Sequence, residues 1–263
     1  MGYGDEIIGT GLARGASADG KKVAFGDGQK IMWSSWCPEI FAHNPNVAKP
    51  GSEKDLNLIW VPHYKGSRMY NTLSSDRKRW VWNYEFKAKP GEFFFTANEL
   101  NYASAFKPGY VLMEPNVPWQ KEVAPNKDWG EGKYEELSRR LVINGLKVVQ
   151  FKHKNSKRLL ESASVVEAPT FRHVIAAMSR AGLYIGPEGG MHHAAAAVGI
   201  NAVVLFGGFI PPSVTGYENH TNLTGGAEAC GNIQRCEHCK KAMANISVDE
   251  VKAAAMEFVS HEM

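Results

Sequence analysis

The stretch from Leu183 to Phe209, LYIGPEGGMHHAAAAVGINAVVLFGGF, places the strongest constraint on the fold. A short apolar run meets a Gly-Pro-Glu-Gly-Gly turn, which is followed by an alanine-rich segment, a glycine stop and a second apolar run. This order predicts a strand, a glycine loop, a helix and a second strand. Such a unit is the parallel crossover of doubly wound α/β sheets, which bind ligands at the carboxyl ends of their strands.

The glycine loop at the start of this helix predicts a phosphate site. Adjacent glycines let the backbone approach an anion closely, and the first N–H groups of a helix are free to bind it. The alternative is a purely structural turn in front of a closely packed helix, because glycine motifs alone are unspecific. Glu188, His192 and His193 favour the functional interpretation, since a core-facing segment does not need three ionisable groups.

The size of the chain allows two modest α/β domains. It has 263 residues, of which 44% are hydrophobic and 22% charged, and this excludes a disordered or fibrous protein. A net charge of +3 does not demand a nucleic-acid or anionic membrane partner. We expect no signal peptide and no transmembrane segment, and therefore a cytoplasmic protein. Pro108-Gly109 predicts a boundary between domains at 1–108 and 109–263.

The first domain opens on a glycine turn, Gly2 to Asp5, that leads directly into a helix extending to about residue 18. Asp5 falls near the start of that helix, where free N–H groups would keep its carboxylate ionised, although Asp is also a common capping residue. Residues 23–25 and 56–61 predict buried strands. The polar and aromatic segment from His63 to Trp82 predicts a long loop or short helices at a ligand-facing surface.

The second domain has a more regular pattern. Strands are predicted at 110–113, 148–151 and 165–166, and helices at 134–144 and after Thr170, ahead of the central unit. Ser247 and Glu250 form the pattern of a capping box for a final amphipathic helix. Three features should face the cleft between the domains: the Gly2 to Asp5 turn, the loop from Asn126 to Trp129, and the Glu188 loop.

Three of the four cysteines are clustered in the pattern Cys-x5-Cys-x-His-Cys. Cys230, Cys236, His238 and Cys239 could supply four zinc ligands. The spacing differs from standard zinc ribbons, however, and the last three residues are too close together to fit easily around one ion. We therefore expect no metal, and either reduced thiols or an adventitious disulfide.

The order of these motifs resembles glycosyltransferase family 9, the ADP-heptose:lipopolysaccharide heptosyltransferases and their relatives. The resemblance rests on GYGDEIIGTG near the start, on a K-x-W element at Lys127 to Trp129, on GPEGGMHHAAAAVG, and on CEHCKKAMANISVDEV before the last helix. It implies an α/β protein of GT-B type, with two Rossmann-like domains facing a cleft and a shortened N-terminal domain.

The resemblance also implies an inverting transfer of a sugar from a nucleoside diphosphate donor to an acceptor hydroxyl, without a metal or other cofactor. It makes Asp5 the general base, with Gly4 beside it, and Lys127 a contact to donor phosphate. It assigns the donor sugar and phosphate to a loop at the second glycine turn, namely Glu188, Gly189, Gly190, Met191 and His192. Trp129 would either stack on a base or pack the loop.

Two other functions fit the same motifs. A nucleotide-sugar 2-epimerase uses a similar architecture and a similar glycine-acid loop, and a non-catalytic module that binds a nucleotide sugar or nucleic acid would share the binding residues. Pro187-Glu188 replaces the Asp-Ser or Asp-Thr usual in heptosyltransferases, and Lys152 to Ser156 lacks an evident acidic ribose ligand. The nucleotide, the sugar and the acceptor, whether a glycan, a lipopolysaccharide core or a modified nucleobase, therefore stay open.

Overall fold

The computed structural model describes residues 1–260 as an α/β fold. The helices of this part of the chain are α1 (Tyr3–Ser17), α2 (Cys37–Ile40), α3 (Ala97–Ser104), α4 (Glu131–Ile143), α5 (Phe171–Met178), α6 (Gly190–Ala197), α7 (Pro212–Thr215), α8 (Glu237–Asn245) and α9 (Val248–Ser260). The strands are β1 (Lys22–Phe25), β2 (Leu58–Val61), β3 (Asn71–Leu73), β4 (Trp80–Trp82), β5 (Tyr110–Met113), β6 (Val148–Lys152), β7 (Ser164–Glu167), β8 (Ala181–Pro187), β9 (Asn201–Leu205) and β10 (His220–Leu223).

A six-stranded parallel sheet in the order β10-β9-β8-β5-β6-β7 forms the centre of the molecule. The four residues of β5 are all buried, as expected of a central parallel strand covered by helices on both faces. Apolar clusters pack on both faces of the sheet, one against α5 and α6 and the other against α4 and α9. The predicted strand, glycine loop, helix and strand of the central unit are confirmed as β8, α6 and β9.

The N-terminal part contains a much smaller sheet. β1 and β2 pair in parallel, and α1 packs against them. The segment from His63 to Trp82 was predicted as a long loop or short helices and differs from this in its second half, where β3 and β4 form an antiparallel hairpin. The hairpin turn is held by Asp76, which accepts hydrogen bonds from the Ser74 hydroxyl at 2.6 Å and from the Lys78 N–H at 3.1 Å.

β10 and α8 are among the elements that the sequence prediction lacked, as are the four-residue helices α2 and α7. β10 is an edge strand with the sequence His-Thr-Asn-Leu, which lacks the apolar run of the inner strands. α8 buries only Cys239, Ala242 and Met243 along its nine residues. β10 is set by its pairing with β9 and has no apolar alternation of its own. α8 does carry a helical spacing, because Cys239, Ala242 and Met243 stand at i, i+3 and i+4, and the sequence prediction did not use this short pattern.

The N-terminal and C-terminal parts share one apolar core, which contains side chains such as Ile7 and Phe25 together with Tyr184 and Phe206. α3 also lies against α5, where buried Arg172 donates from Nε to Glu99 at 2.6 Å. The domain boundary at residue 108 stays a prediction, and residues 261–263 of the second predicted domain lie outside the described part. No helix in residues 1–260 is long and apolar enough to cross a membrane.

Candidate active site

The sheet order places a topological switch point between β5 and β8. From β5 the chain moves to β6 and β7 on one side, and from β8 it moves to β9 and β10 on the other. Connections that leave in opposite directions open a crevice at the carboxyl ends of these two strands, and open α/β sheets bind ligands there. Glu114 follows β5 and Glu188 follows β8, so both carboxyl groups lie at this edge.

The first turns of α1 and α6 lie directly against each other beside this crevice. A Cβ atom on Gly4 would lie 3.0 Å from His193 Cδ2 and 3.3 Å from the Gly190 nitrogen, so a larger residue would require these neighbours to shift by a few tenths of an ångström. Gly189, which precedes α6, has a φ of 155° and a ψ of −156°, a backbone conformation that is essentially restricted to glycine. Two helix N-termini, each with unpaired N–H groups and a positive dipole end, therefore meet at one place.

Glu188 is 5% exposed and uses both carboxylate oxygens. Lys127 donates to Oε2, and His193 donates from Nε2 to Oε1 at 3.2 Å while its Nδ1 accepts from the Tyr217 hydroxyl at 2.9 Å. Burial by itself would raise the pKa of Glu188, but the Lys127 ammonium and the His193 hydrogen bond outweigh it and hold the pKa below 4.5. The carboxylate is thus ionised and paired at neutral pH.

The structure separates the roles of the two adjacent histidines. His192 is fully buried, packs against Phe206, Tyr217 and His220, and has no hydrogen-bond partner for either ring nitrogen within residues 1–260. Its ring therefore lies in the core beside Glu188 and His193 without a hydrogen bond to either, whereas its N–H belongs to the open first turn of α6, like those of Gly190 and Met191. The histidine that contacts Glu188 is His193.

Asp5 lies in the first turn of α1 and is 8% exposed. Its Oδ1 pairs with Arg68 Nε at 2.8 Å and accepts a hydrogen bond from the buried Tyr70 hydroxyl, and His63 donates to its main-chain oxygen at 2.9 Å. Burial alone would raise the pKa of Asp5, but Arg68 and Tyr70 together lower it below 3.8. These partners all come from the segment that the sequence predicted to face a ligand.

Lys121 is a further cation that sequence reasoning missed. Its ammonium lies 3.1 Å from the position that a Cβ atom on Gly2 would occupy, so this lysine reaches from the loop after β5 to the start of α1. Arg68, Lys121 and Lys127 surround the two carboxylates of Asp5 and Glu188. The three cations and the two helix N-termini outnumber the two carboxylates, a charge balance that suits an anion.

A second polar cluster lies at the carboxyl end of β5 and β6. Glu114 is buried and accepts hydrogen bonds from the N–H and side-chain amide of Asn116, at 2.8 and 3.0 Å. Burial raises its pKa to about 7, although both hydrogen bonds lower it. Arg158 forms a two-pronged ion pair with Asp128 and lies over the Trp119 ring, with 4.6 Å between its Cζ and the ring centroid.

Trp129 has a structural role in the described structure. Its indole is 3% exposed, meets the Tyr134 ring edge to face at 4.9 Å, and donates from Nε1 to the Ile246 oxygen at 2.9 Å. Of the two alternatives for this residue, the geometry matches packing of the loop, because the indole offers no free face to a base.

Two groups of side chains have the composition of metal sites. The ligand atoms of Glu188, His192 and His193 lie within 4.8 Å of one another, but the Lys127 ammonium already pairs with Glu188 and would repel a cation. The sulfur atoms of Cys230, Cys236 and Cys239 also lie within 4.8 Å of one another. All four cysteines are free thiols, and His238 Nε2 donates to the Glu228 oxygen at 2.7 Å instead of joining the sulfur atoms.

Solved structures share this fold at low sequence identity. An E. coli ADP-heptose lps heptosyltransferase II matches with 14% identity and a TM-score of 0.61, over 99% of this chain and 96% of that one. The iron-containing dodecameric glycosyltransferase TibC from enterotoxigenic E. coli matches with 12% identity and a TM-score of 0.60, over 98% and 73%. A glycosyl transferase family 9 protein from Veillonella parvula matches with 16% identity and a TM-score of 0.51, over 65% and 54%, about half of its length.

The heptosyltransferase neighbours have the GT-B fold, which confirms the predicted fold class. A search of curated proteins found no match to this sequence. The model of glycosyltransferase family 9 (heptosyltransferase) matches residues 74–245, about two thirds of the chain, and includes Lys127 and the whole glycine loop before α6. The chain therefore belongs to glycosyltransferase family 9.

Proposed function

We propose that the protein transfers a sugar from a nucleoside diphosphate donor to an acceptor hydroxyl, with inversion at the anomeric carbon. The observation that carries this proposal is the contact between the first turns of α1 and α6, because it brings the Asp5 carboxylate and the Glu188–Lys127 pair to one crevice. A base for the acceptor and a phosphate site for the donor are the two parts that such a transfer needs.

The donor diphosphate is proposed to bind at the first turn of α6. Its oxygens would accept hydrogen bonds from the N–H groups of Gly190, Met191 and His192 and would meet the Lys127 ammonium, which Glu188 holds in place. As the bond between the anomeric carbon and the phosphate oxygen breaks, negative charge grows on the diphosphate. Fixed N–H groups and ammonium groups stabilise this charge, so the chemical step as proposed does not use a metal ion.

Asp5 is proposed as the general base. The acceptor oxygen attacks the anomeric carbon, the nucleoside diphosphate leaves with the bonding electrons, and the hydroxyl proton passes to Asp5. Arg68 and Tyr70 occupy Oδ1, whereas Oδ2 faces Gly2 and receives no hydrogen bond within residues 1–260. The low pKa of Asp5 fits transfer of the proton after attack has begun, because bonding to carbon makes the attacking oxygen strongly acidic.

The names of the neighbours suggest which substrates to test first. One is an ADP-heptose lps heptosyltransferase, so ADP-heptose and a lipopolysaccharide core are the first proposed pair. The cluster of Glu114, Asn116 and Arg158 at the switch point is the proposed site for the nucleoside. Sugar nucleotides with other bases are further donors for the same assay, and other glycans and modified nucleobases are further acceptors.

The first experiment is calorimetric titration of the full chain with ADP, UDP, GDP, CDP and TDP and with the corresponding sugar nucleotides. The tightest donor is then incubated with acceptors, and the products are identified by mass spectrometry and by NMR of the anomeric proton. A glycosylated product of inverted configuration, formed at the same rate with or without added Mg²⁺, supports the proposal. A donor altered at C2 without acceptor would identify an epimerase, and donor binding without any turnover would identify a binding module.

A further inference from the structure

The cluster of Cys230, Cys236 and Cys239 lies outside the proposed catalytic crevice. Cys230 and Cys236 are half-buried and Cys239 is buried. Cys239 is at the first turn of α8, and Cys230 is held near it because its N–H donates to the Gly208 oxygen at 2.9 Å. From this arrangement we propose that the three thiols bind one thiophilic metal ion, Zn²⁺ by preference.

The sulfur separations match a shared ion. Cys230 Sγ lies 3.3 Å from Cys239 Sγ and 3.8 Å from Cys236 Sγ. Thiolates bound to one tetrahedral Zn²⁺ at about 2.3 Å are about 3.8 Å apart. A disulfide would require two of these sulfur atoms to approach to about 2.05 Å, and it would leave the third thiol without a partner.

The position of His238 explains how these closely spaced residues can surround an ion. Cys236, His238 and Cys239 would crowd one tetrahedron, but His238 is exposed and donates to the Glu228 oxygen. The ligand set is therefore three thiolates, and the fourth position is left to solvent on the side of the half-buried Cys230 and Cys236. Each ion that binds displaces up to three thiol protons to the solvent.

An ion at this place would fix two segments that flank the crevice. The Cys236 N–H donates to Asn126 Oδ1 at 3.0 Å, and Asn126 Nδ2 donates to the oxygens of Asn232 and Gln234, so the cysteine loop clamps the residue before Lys127. On the other side, the Trp80 N–H of β4 donates to the Gly231 oxygen at 2.9 Å. Metal binding does not depend on the proposed transfer reaction.

The test uses the full chain, purified without metal-affinity steps and kept reduced. Elemental analysis should find about one zinc or iron ion per chain. After the metal is removed with a chelator, titration with Co²⁺ should produce the sulfur-to-cobalt charge-transfer band of a tetrahedral thiolate site, with release of protons. The variants Cys236→Ser and Cys230→Ser should lose this band while keeping the wild-type circular dichroism spectrum.

Two matched variants define the ligand set. Cys37→Ser removes a buried thiol in α2, far along the chain from the cluster, and should keep the full band. His238→Ala should also keep it, because His238 Nε2 is already engaged by the Glu228 oxygen. Absence of the cobalt band in the reduced wild-type chain, a disulfide within the cluster in freshly purified protein, or loss of the band in either control would overturn the proposal.

Discussion

The pair of Lys127 and Glu188 gives the sharpest prediction for stability. Their side chains are 12% and 5% exposed, so replacing Lys127 with Met leaves a carboxylate in the interior without its main counter-charge. Removing one partner of a buried ion pair costs about 3–5 kcal/mol. We expect a loss of this size in the free energy of unfolding of Lys127→Met at pH 7, and recovery of most of it in the double variant Lys127→Met/Glu188→Gln.

The same variant should change the response to pH. In the wild type the pKa of folded Glu188 lies below the ordinary 4.5, so its stabilising contribution is present above pH 4.5 and is lost as the pH falls through the folded value. Without Lys127, burial becomes the dominant influence and raises the pKa of folded Glu188 above 4.5. The protonated carboxyl then costs less to bury, so the gap between variant and wild type should narrow as the pH falls from 7 toward 5.

The assay is equilibrium unfolding in urea, followed by the fluorescence of the 7 tryptophans. Lys152→Met is the matched control, because Lys152 also pairs with a glutamate but both side chains are exposed, at 46% and 74%. It should cause no measurable loss of stability. A loss below about 1 kcal/mol for Lys127→Met at pH 7, as for a surface pair, or a gap that widens on acidification, would refute the reasoning.

Three further outcomes are expected. Asp5→Asn should lower the transfer rate roughly 10²-fold or more with unchanged donor affinity, and unchanged turnover in steady-state kinetics would exclude Asp5 as the base. Gly4→Ala should lower the free energy of unfolding by about 1–3 kcal/mol, because the new methyl group would lie 3.0 Å from His193 Cδ2. Thermal unfolding measures this loss. The control is Gly132→Ala, whose methyl group meets no atom within 4 Å and which should be neutral or stabilising. The pKa of Glu114 is raised from 4.5 to about 7, so the contribution of this group to stability falls as the pH rises between these two values. In urea unfolding, the free energy of unfolding of Glu114→Gln should therefore rise by about 3 kcal/mol relative to that of the wild type over this range. A difference between the two proteins that stays constant with pH would contradict a buried protonated carboxyl.

Local signals in the sequence were enough to predict the elements that carry the glycine loop at Glu188. The glycine turn and alanine run produce β8, α6 and β9, and Thr170 caps α5 as predicted, since its hydroxyl accepts from the His173 N–H. Ser247 likewise accepts from the Glu250 N–H at 3.0 Å at the start of α9. These elements and caps depend on residues that are only a few positions apart, so a local sequence pattern is enough to predict them.

The contacts between distant segments could not be predicted in the same way. Arg68 and Tyr70 reach Asp5 from the segment that leads into the β3–β4 hairpin, more than 60 positions later, and their sequence has no periodicity that would reveal the strand pairing. The sequence named His192 as a residue of the loop site, but the side chain that contacts Glu188 is that of His193. Which of the two histidines faces Glu188 depends on the rotation of α6 about its axis, which is set by packing on Phe206 and Tyr217. Helical spacing alone does not give that rotation.

The hydrogen bonds that clamp Asn126 determine when the loop with Lys127 can become ordered during synthesis of the chain. Its three partners, the oxygens of Asn232 and Gln234 and the N–H of Cys236, lie 106 to 110 positions downstream. Because synthesis proceeds from the N-terminus, β5 and the loop with Lys127 leave the ribosome well before the segment that locks them. We therefore expect Lys127 to be among the last residues of the protein to gain its final position. A nascent chain that ends before residue 230 would have the strands of the six-stranded sheet but not the hydrogen bonds that fix the loop beside Lys127.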